Sequence, residues 1–580
     1  MVDVRTVSRL APCVNDQIVV DLRRMATAGA PSLRLLRFVQ SQFGVKPGQY
    51  NAVVFGHLVA AFSLSLRELQ EVLGNASEGW LLQSIDEIIR QYSKRYYLNV
   101  DLPLIDRGLP HEPKASNREL SRLCLPFDGS YLRDMADVTS LDLSGTLITD
   151  LSPLASLVNL KELNLQGTDV SDLSFLSGLT GLVSLKLGRT KVSDISALAE
   201  LKSLRLLNLE GTLVTDLLPL AGLVELISLE AGGTNVRDIL PLRNLDKLTH
   251  LSLYDTQVDD LSPIKHLLCI ETLNLHGTRV SDISPLVACI RLKELSIGQT
   301  HVKDLSSLST LTNISCIGLT STNIADLSAL SNLKDLISLD VSYTNVIDLW
   351  PLSELDRLTS IDLGHTKVRD LSGLCHCAAL RTLWANDTEV TDVSPLSQLK
   401  KLDLLALHRT QVADISSLSE VKSLTSLYLS ETQVSNISVL SEFDSLTSLY
   451  LHGTQVTDIS ALKELTYLDL LTLYDTQVTN LTSLSGLKLL LWLYLQRASI
   501  TDLSPLSGLT SCKELYLQRT GISDVSPLSA LTQLEVLILD NTKISDLSPL
   551  SSLKNLSLLS VEGLGRTLRR ERDRLLKASS

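Results

Sequence analysis

A hydrophobic pattern with a 22-residue period runs through most of the chain. In the copy around Thr168, Leu163 and Leu165 alternate with polar residues, which is the period-two pattern of a short strand with leucine facing inward. A threonine recurs with this period from position 146 to position 542, with Ala498 in one slot, which gives 19 copies without an insertion or deletion. This period predicts a solenoid in which each repeat contacts only its neighbours and the strands stack in parallel.

The polar positions of the repeat also indicate architecture. Four residues after the threonine position stands an aspartate in 17 copies, and Asn436 and Asn480 fill the other two. The segment Asp-Leu-Ser-Pro-Leu then suits a short helical turn, because the acid accepts free N–H groups and proline needs no partner there. We expect the threonine hydroxyl to bond backbone in the turn after the strand and to form a ladder with its neighbours. Residues repeated so often are interpreted as structural.

The acidic balance of the chain follows from this repeated turn. The net charge is -13, and removing the 17 repeated aspartates would change it to +4. The charge is therefore a weak argument for a basic partner. It does argue against nucleic-acid binding along the solenoid, because phosphate contacts need a basic stripe.

Three regions are predicted. Residues 1–127 do not repeat, show helical spacing and end in a Pro-rich linker, so they form a small helical domain or a cap. Residues 128–565 form the solenoid, beginning with a degenerate entry repeat. Residues 566–580 are basic, place Leu568, Leu575 and Leu576 on one helical face, and are expected to cap the last repeat.

Catalytic and metal-binding motifs are not evident in the sequence. There is no P-loop, HExxH or GxSxG pattern, and no cofactor is predicted. The cluster Cys375-His376-Cys377 has no second pair to complete a zinc site, and Cys289 falls at a core position. His408 and His452 are two repeats apart, roughly 9.6 Å, which is too far for both to ligate one ion.

The chain start and the cysteine pattern bear on location. The first residues lack the basic and apolar segments of a secretory signal, and no apolar run is long enough to span a bilayer. The eight cysteines show no disulfide spacing. These features together predict a reducing, cytoplasmic setting without an integral membrane segment.

The outward positions of the strands change character along the solenoid. The residue four before the threonine position is small or polar up to Asp362 and then becomes mostly aromatic. Two further positions, two and one before the threonine, add histidine, tyrosine and arginine. The candidate partner-binding residues are Trp384, Tyr428, Tyr450, Tyr474, Tyr494, Tyr516, His408, His452, Arg409, Arg497 and Arg519. Such residue types carry interface energy, although tyrosine stacking that only supports the sheet is the alternative.

The pattern LxxLxLxxTxVxDLSPLxxL resembles the leucine-rich repeat in its 22-residue bacterial form, and is closest to the internalin class. This chain has threonine where that family usually has the ladder asparagine. The resemblance implies an α/β solenoid shaped as an arc, with one short parallel strand per repeat and 3-10 or turn segments on the convex side. It also implies that the concave strand face binds protein.

We therefore expect a non-enzymatic scaffold that binds a protein partner through the C-terminal half of its concave face. Two alternatives remain open. In one, residues 1–127 are an effector or regulatory domain, enzymatic or not, for which the solenoid is the sensor. In the other, the chain is an exported effector that contacts a host.

Overall fold

The computed structural model describes residues 138–146, 148 and 151–579. The predicted helical region 1–127 and most of the entry repeat lie outside the described residues, so those assignments stay predictions. The chain divides into two compact units, one ending at Asn235 and the other beginning at Val236.

The first unit contains five described strands, and a 3-10 helix follows each of the first four. Strands β1 to β5 are Ser140–Asp142, Glu162–Asn164, Ser184–Lys186, Leu206–Asn208 and Ser228–Glu230. The 3-10 helices are Ser152–Ser156, Ser174–Gly178, Ser196–Glu200 and Leu218–Leu220. Consecutive strands pair in parallel from β1 to β5.

The second unit continues the same alternation and ends in an α-helix. Its described strands β6 to β20 are His250–Ser252, Thr272–Asn274, Glu294–Ser296, Cys316–Gly318, Ser338–Asp340, Ser360–Asp362, Thr382–Trp384, Leu404–Ala406, Ser426–Tyr428, Ser448–Tyr450, Leu470–Thr472, Trp492–Tyr494, Glu514–Tyr516, Val536–Ile538 and Leu558–Ser560. Its 3-10 helices are Leu240–Asn244, Ser262–His266, Ser284–Ala288, Ser306–Leu308, Ser328–Leu330, Trp350–Leu352, Ser372–Leu374, Ser394–Gln398, Ser416–Glu420, Ser438–Glu442, Ser460–Glu464, Thr482–Leu484, Ser504–Gly508, Ser526–Ala530 and Ser548–Ser552. Helix α1 is Arg566–Ser579.

The strands pair with a constant register of one whole repeat. Ser426 lies beside Ser448, and Leu427 lies beside Leu449. Past the strand the backbone keeps the same register, since the Leu429 N–H donates to the carbonyl oxygen of Tyr450 at 2.9 Å. Equivalent positions of successive repeats therefore form columns. The predicted solenoid of short parallel strands and 3-10 segments is confirmed.

The core of each repeat is aliphatic. In the repeat of β14, for example, Leu424, Leu427, Leu429, Val434 and Leu440 are all 0% exposed. Burial of each such side chain contributes about 1.5–3 kcal/mol to the free energy of unfolding. Because the pattern recurs in every repeat, this apolar burial is the main stabilising contribution.

Three cysteines replace aliphatic residues in this core. Cys289, Cys377 and Cys512 are each 0% exposed, which confirms the prediction that Cys289 behaves as a small apolar residue. Burial raises the pKa of the Cys289 thiol to about 11, and that of Cys377 and Cys512 to about 12. These thiols are therefore protonated at neutral pH.

The repeat threonine forms a hydrogen bond within its own repeat. The Thr432 side chain is buried, and its Oγ1 donates to the carbonyl oxygen of Leu429 at 2.6 Å. Thr410 and Thr454 make the same bond to the residue three before them. The predicted backbone bond of the threonine hydroxyl is therefore confirmed. Because the single hydrogen of each hydroxyl is used within its own repeat, the predicted ladder of bonds between neighbouring threonines is wrong.

The repeated aspartate holds the start of the 3-10 helix. The Oδ1 of Asp414 accepts a hydrogen bond from the N–H of Ser416, the first helical residue, at 2.8 Å. Ile415 is the N-cap residue, so Asp414 makes this bond from the position directly before the N-cap. This bond is the main cause that lowers the pKa of Asp414. The predicted acceptor role of the acid is confirmed.

A left-handed backbone position comes directly before the threonine position of the repeat, and the sequence analysis missed it. The φ angle there lies between 51° and 78° in both units. Glycine occupies the position in seven described repeats, beginning with Gly145 and Gly167. In 13 others a side-chain-bearing residue such as Tyr343 or Arg409 accepts the strained conformation. The recurring glycine one residue before threonine was the available signal.

Helix α1 packs against the last repeat. Leu568, near the start of this helix, is buried, and the Leu547 N–H of the last repeat donates to Oε2 of Glu571 in the helix at 3.4 Å. Arg569, Arg570 and other basic residues face solvent. In the part of the chain that the structure describes, no helix has both the length and the apolar character needed to cross a membrane.

We predict that Gly167→Ala lowers the free energy of unfolding by about 1 kcal/mol, because a Cβ is strained at φ +69°. Steric overlap does not contribute, since the nearest atoms to the added Cβ belong to Gly145 at 3.9 Å. The matched control is Gly178→Ala in the following 3-10 helix, where φ is not positive and the nearest atom is also 3.9 Å away. Urea unfolding followed by circular dichroism measures both; equal losses would contradict the strain argument.

We also predict that Ala498→Thr raises the free energy of unfolding by about 1 kcal/mol, because it restores the missing hydroxyl bond. Ala498 is 3% exposed, and its N–H already bonds the carbonyl of Leu495, as the threonines do. Ala498→Val is the isosteric control that adds volume without a hydroxyl. A gain of the same size in both variants would assign the effect to packing.

Candidate protein-binding face

The candidate site is the outward side of β12 to β18 with the turns that follow, here called the strand face. Column 1 is the position four before the repeat threonine, column 2 the position two before, and column 3 the position one before. Column 1 reads Trp384, Ala406, Tyr428, Tyr450, Thr472, Tyr494 and Tyr516. The register places each residue beside the next. All the site residues lie in the second unit.

The aromatic rings of column 1 form two groups. Tyr428 and Tyr450 stack with centroids 4.3 Å apart and planes 11° apart, and Trp384 reaches Tyr428 at 5.6 Å across the small Ala406. Tyr494 and Tyr516 stack at 4.6 Å and 12°. The intervening Thr472 is buried. The predicted aromatic column is therefore present, with one short polar interruption.

Column 2 adds a histidine–tyrosine pair to this surface. His452 stacks on Tyr474 at 4.0 Å, and its Nδ1 lies 2.8 Å from Ser430 Oγ and 3.0 Å from Thr472 Oγ1. His408 lies 6.4 Å from the ring of Tyr428 in a tilted arrangement. The stacking and polar contacts of His452 hold its imidazole against the sheet.

Column 3 is the left-handed position, and it carries most of the charge of the site. Arg409 lies between two acids, with Nε 3.2 Å from Glu431 Oε2 and Nη1 3.8 Å from Asp387 Oδ1. Arg497 Nη1 pairs with both oxygens of Asp475 at 3.3 Å. Within the described part of the chain, Arg519 has no carboxylate partner. The three candidate arginines are thus not equivalent.

Burial changes the ionisation of the ring residues. It raises the pKa of Tyr450 to about 12 and, with the hydrogen bond that the Tyr516 hydroxyl donates to Glu514 at 3.0 Å, raises the pKa of Tyr516 to about 12. Burial also lowers the pKa of His408 and of His452 below the ordinary value of 6.5. At neutral pH the face therefore presents neutral rings.

One aromatic residue of the strand face was missed in the sequence analysis. Trp492 precedes Tyr494 by two residues in β17, so both side chains leave the sheet on the same side. It is half-buried, with Leu470 and Glu514 as its strand neighbours. Side chains two residues apart in a strand lie on the same face, so reading the position two before column 1 would have identified Trp492.

The polar side chains of this face are spread over several repeats. Among the described residues, no three His, Cys, Asp or Glu side chains come close enough together to hold a metal ion. The face therefore presents aromatic rings, amides and paired charges.

We predict that stability falls on acidification from about pH 7.5 to about pH 5.5, because protonation is disfavoured at the half-buried His408 and His452. Since folding lowers their pKa, their contribution is present above about pH 6.5 and is lost as the pH falls through the folded values. The turn aspartates, whose pKa is lowered, act only in a more acidic window. A double variant His408→Asn and His452→Asn should lose this pH dependence in urea unfolding; an unchanged dependence would contradict the assignment.

The comparisons with known proteins bear on the fold. A family model described as leucine-rich repeats (2 copies) matches residues 137–178, 422–464 and 510–552. No curated protein matches the chain.

Two solved receptors are similar in structure. The plant peptide hormone receptor RGFR1, solved in complex with RGF2, is 18% identical, with 74% of this chain and 86% of that chain covered and a TM-score of 0.53. A TDR receptor is 17% identical, with 76% and 88% covered and a TM-score of 0.58. These two similarities show the fold alone.

An internalin, InlF from Listeria monocytogenes, is the more informative relative. It is 31% identical, the match covers 53% of this chain and 89% of that chain, and the TM-score is 0.50. Leucine-rich-repeat scaffolds are generally non-enzymatic and typically mediate protein–protein interactions through their extended surfaces. On this similarity, together with the repeat matches, the chain belongs to the bacterial internalin-like family of leucine-rich-repeat proteins.

Proposed function

We propose that this protein is a binding scaffold whose strand face, from β12 to β18, docks a partner protein. Strands with polar and with aromatic residues in column 1 pair in the same way. Strands β7 and β8 carry Asn274 and Ser296 in column 1 and pair in the same register as the strands that carry Tyr428 and Tyr450. The sheet therefore forms equally well with small polar residues at these positions.

The core beneath the rings leads to the same conclusion. Leu427 and Leu449 directly precede Tyr428 and Tyr450, face inward, and are 0% exposed. Leu273, which directly precedes the polar Asn274 of column 1, is 1% exposed. The stacked rings are thus additions to a sheet that is complete without them. Ring stacking as sheet support alone does not account for their concentration, because six of the chain's 24 aromatic residues lie in columns 1 and 2 of seven repeats.

The geometry suits recognition energetically. Tyrosine, tryptophan and arginine are the residues that most often dominate binding energy at protein interfaces. Stacking already holds Tyr428 on Tyr450 and Tyr494 on Tyr516, so little side-chain freedom remains to be lost on binding. At about 4.8 Å per strand, seven repeats span roughly 29 Å, the width of an ordinary protein interface.

The column itself supplies the substitutions for a test. Asparagine is native to column 1, where Asn274 Oδ1 accepts the N–H of His276 at 3.1 Å. We expect a variant with Trp384, Tyr428, Tyr450, Tyr494 and Tyr516 changed to Asn to fold, because this bond is local. Partners captured by the intact chain are identified by mass spectrometry, and their affinity is then measured directly with purified proteins. The Asn variant should bind at least about tenfold more weakly, as expected when several hot-spot residues are lost.

The matched control changes three exposed aromatic residues outside columns 1 and 2. Tyr343, Trp350 and Tyr467 are 56%, 64% and 61% exposed, and each is changed to Asn. This control should retain full affinity, with circular dichroism showing that both variants are folded. Equal affinity of the intact chain and the strand-face variant would refute the proposal and direct attention to residues 1–127.

A further inference from the structure

Two adjacent repeats carry the same four residues at the end of the strand face. Tyr494-Leu-Gln-Arg497 and Tyr516-Leu-Gln-Arg519 occupy equivalent positions of their repeats. The register places Tyr494 directly beside Tyr516, and it brings the two glutamines and the two arginines together in columns 2 and 3. The result is a patch with a floor of stacked rings, a middle of amides and a basic edge.

The two glutamine amides of this patch have their oxygen atoms turned inward. The Oε1 atoms of Gln496 and Gln518 are buried without a hydrogen-bond donor. The amide ends that remain accessible are therefore the Nε2 groups, each of which has two hydrogens to donate. A buried acceptor without a partner is unfavourable, so this orientation is one that a ligand accepting hydrogen bonds at the surface would stabilise.

The arginines add an uncompensated charge. Arg497 is neutralised by Asp475, whereas Arg519 is exposed and has no carboxylate partner among the described residues. An anion bound beside Arg519 would supply the countercharge that Asp475 supplies to Arg497. The guanidinium group matches a carboxylate with two parallel hydrogen bonds.

Two acids beside the patch already accept hydrogen bonds from other groups. Glu514 accepts the hydroxyl hydrogen of Tyr516, and Asp540 accepts from Ser560 Oγ and from the Glu562 N–H. Both carboxylates are thus engaged beside the patch. A ligand with a single negative charge matches the single uncompensated guanidinium of the patch, that of Arg519.

We propose that this patch, Tyr494–Arg497 with Tyr516–Arg519, binds an Asp or Glu side chain of the partner protein next to an aromatic or aliphatic residue. The apolar residue packs on the Tyr494–Tyr516 stack. The carboxylate accepts from Arg519 and from the amides of Gln496 and Gln518. The inference rests on the proposed function and specifies which partner chemistry this end of the strand face selects.

Short fluorinated peptides test the patch with the full chain. The probes are N-acetyl-4-fluorophenylalanyl-glutamate amide and its glutamine counterpart, titrated by ¹⁹F NMR. We expect the glutamate probe to bind at least about fivefold more tightly, and the difference to shrink when salt rises from about 50 mM to about 500 mM. Arg519→Gln should remove the difference. Arg189→Gln, at the same left-handed position but paired with Glu210 and without neighbouring rings, should leave it unchanged.

Other results would contradict the binding of an acidic side chain at this patch. Equal binding of the two probes, or no binding of either at about 10 mM, overturns the proposal. Tighter binding of N-acetyl-4-fluorophenylalanine with a free carboxylate than of the glutamate probe overturns the side-chain assignment in favour of a chain terminus. Partner capture that depends on the strand-face rings, combined with equal probe binding, would refute this inference and leave the proposed function standing.

Discussion

The structure depends on the inward leucine of each short strand and on the unchanging length of the repeat that carries it. Leu427 can stack on Leu449 because the two strands pair in register, and a slip of that register by a single residue would turn the next strand's apolar side chain outward. Since each repeat buries its apolar face only against its neighbours, no repeat is stable alone. The same constraint brings every outward position into a column.

This constraint explains how much could be predicted from the sequence. Strand positions, the parallel sheet and the columns follow from spacing, because spacing alone decides which residues become neighbours. The backbone bond of the Thr432 hydroxyl was also expected, because a buried hydroxyl in a turn needs a partner. The left-handed residue before Thr432 did not follow, since it depends on a backbone angle that a hydrophobic pattern does not encode. The pairing of Arg409 and the isolation of Arg519 also depended on neighbours one repeat away in the same column.

Folding and recognition use different positions of the same repeat. Leucine, threonine and aspartate occupy inward and turn positions, and they are nearly invariant along the chain. The outward positions of β7 and β14 hold Asn274 and Tyr428 without any change in strand length or pairing register. Recognition chemistry can therefore vary along the solenoid without disturbing the core. The left-handed position belongs to both groups, because it accepts charged residues only with backbone strain.

The buried cysteines give the second unit an intrinsic set of reporters. Cys289, Cys377 and Cys512 occupy core positions in three separate repeats, and their raised pKa leaves almost no thiolate at neutral pH. An alkylating reagent can reach each thiol only when its own repeat opens. The labelling rates at these three sites thus record how local breathing varies along the solenoid, without any engineered probe.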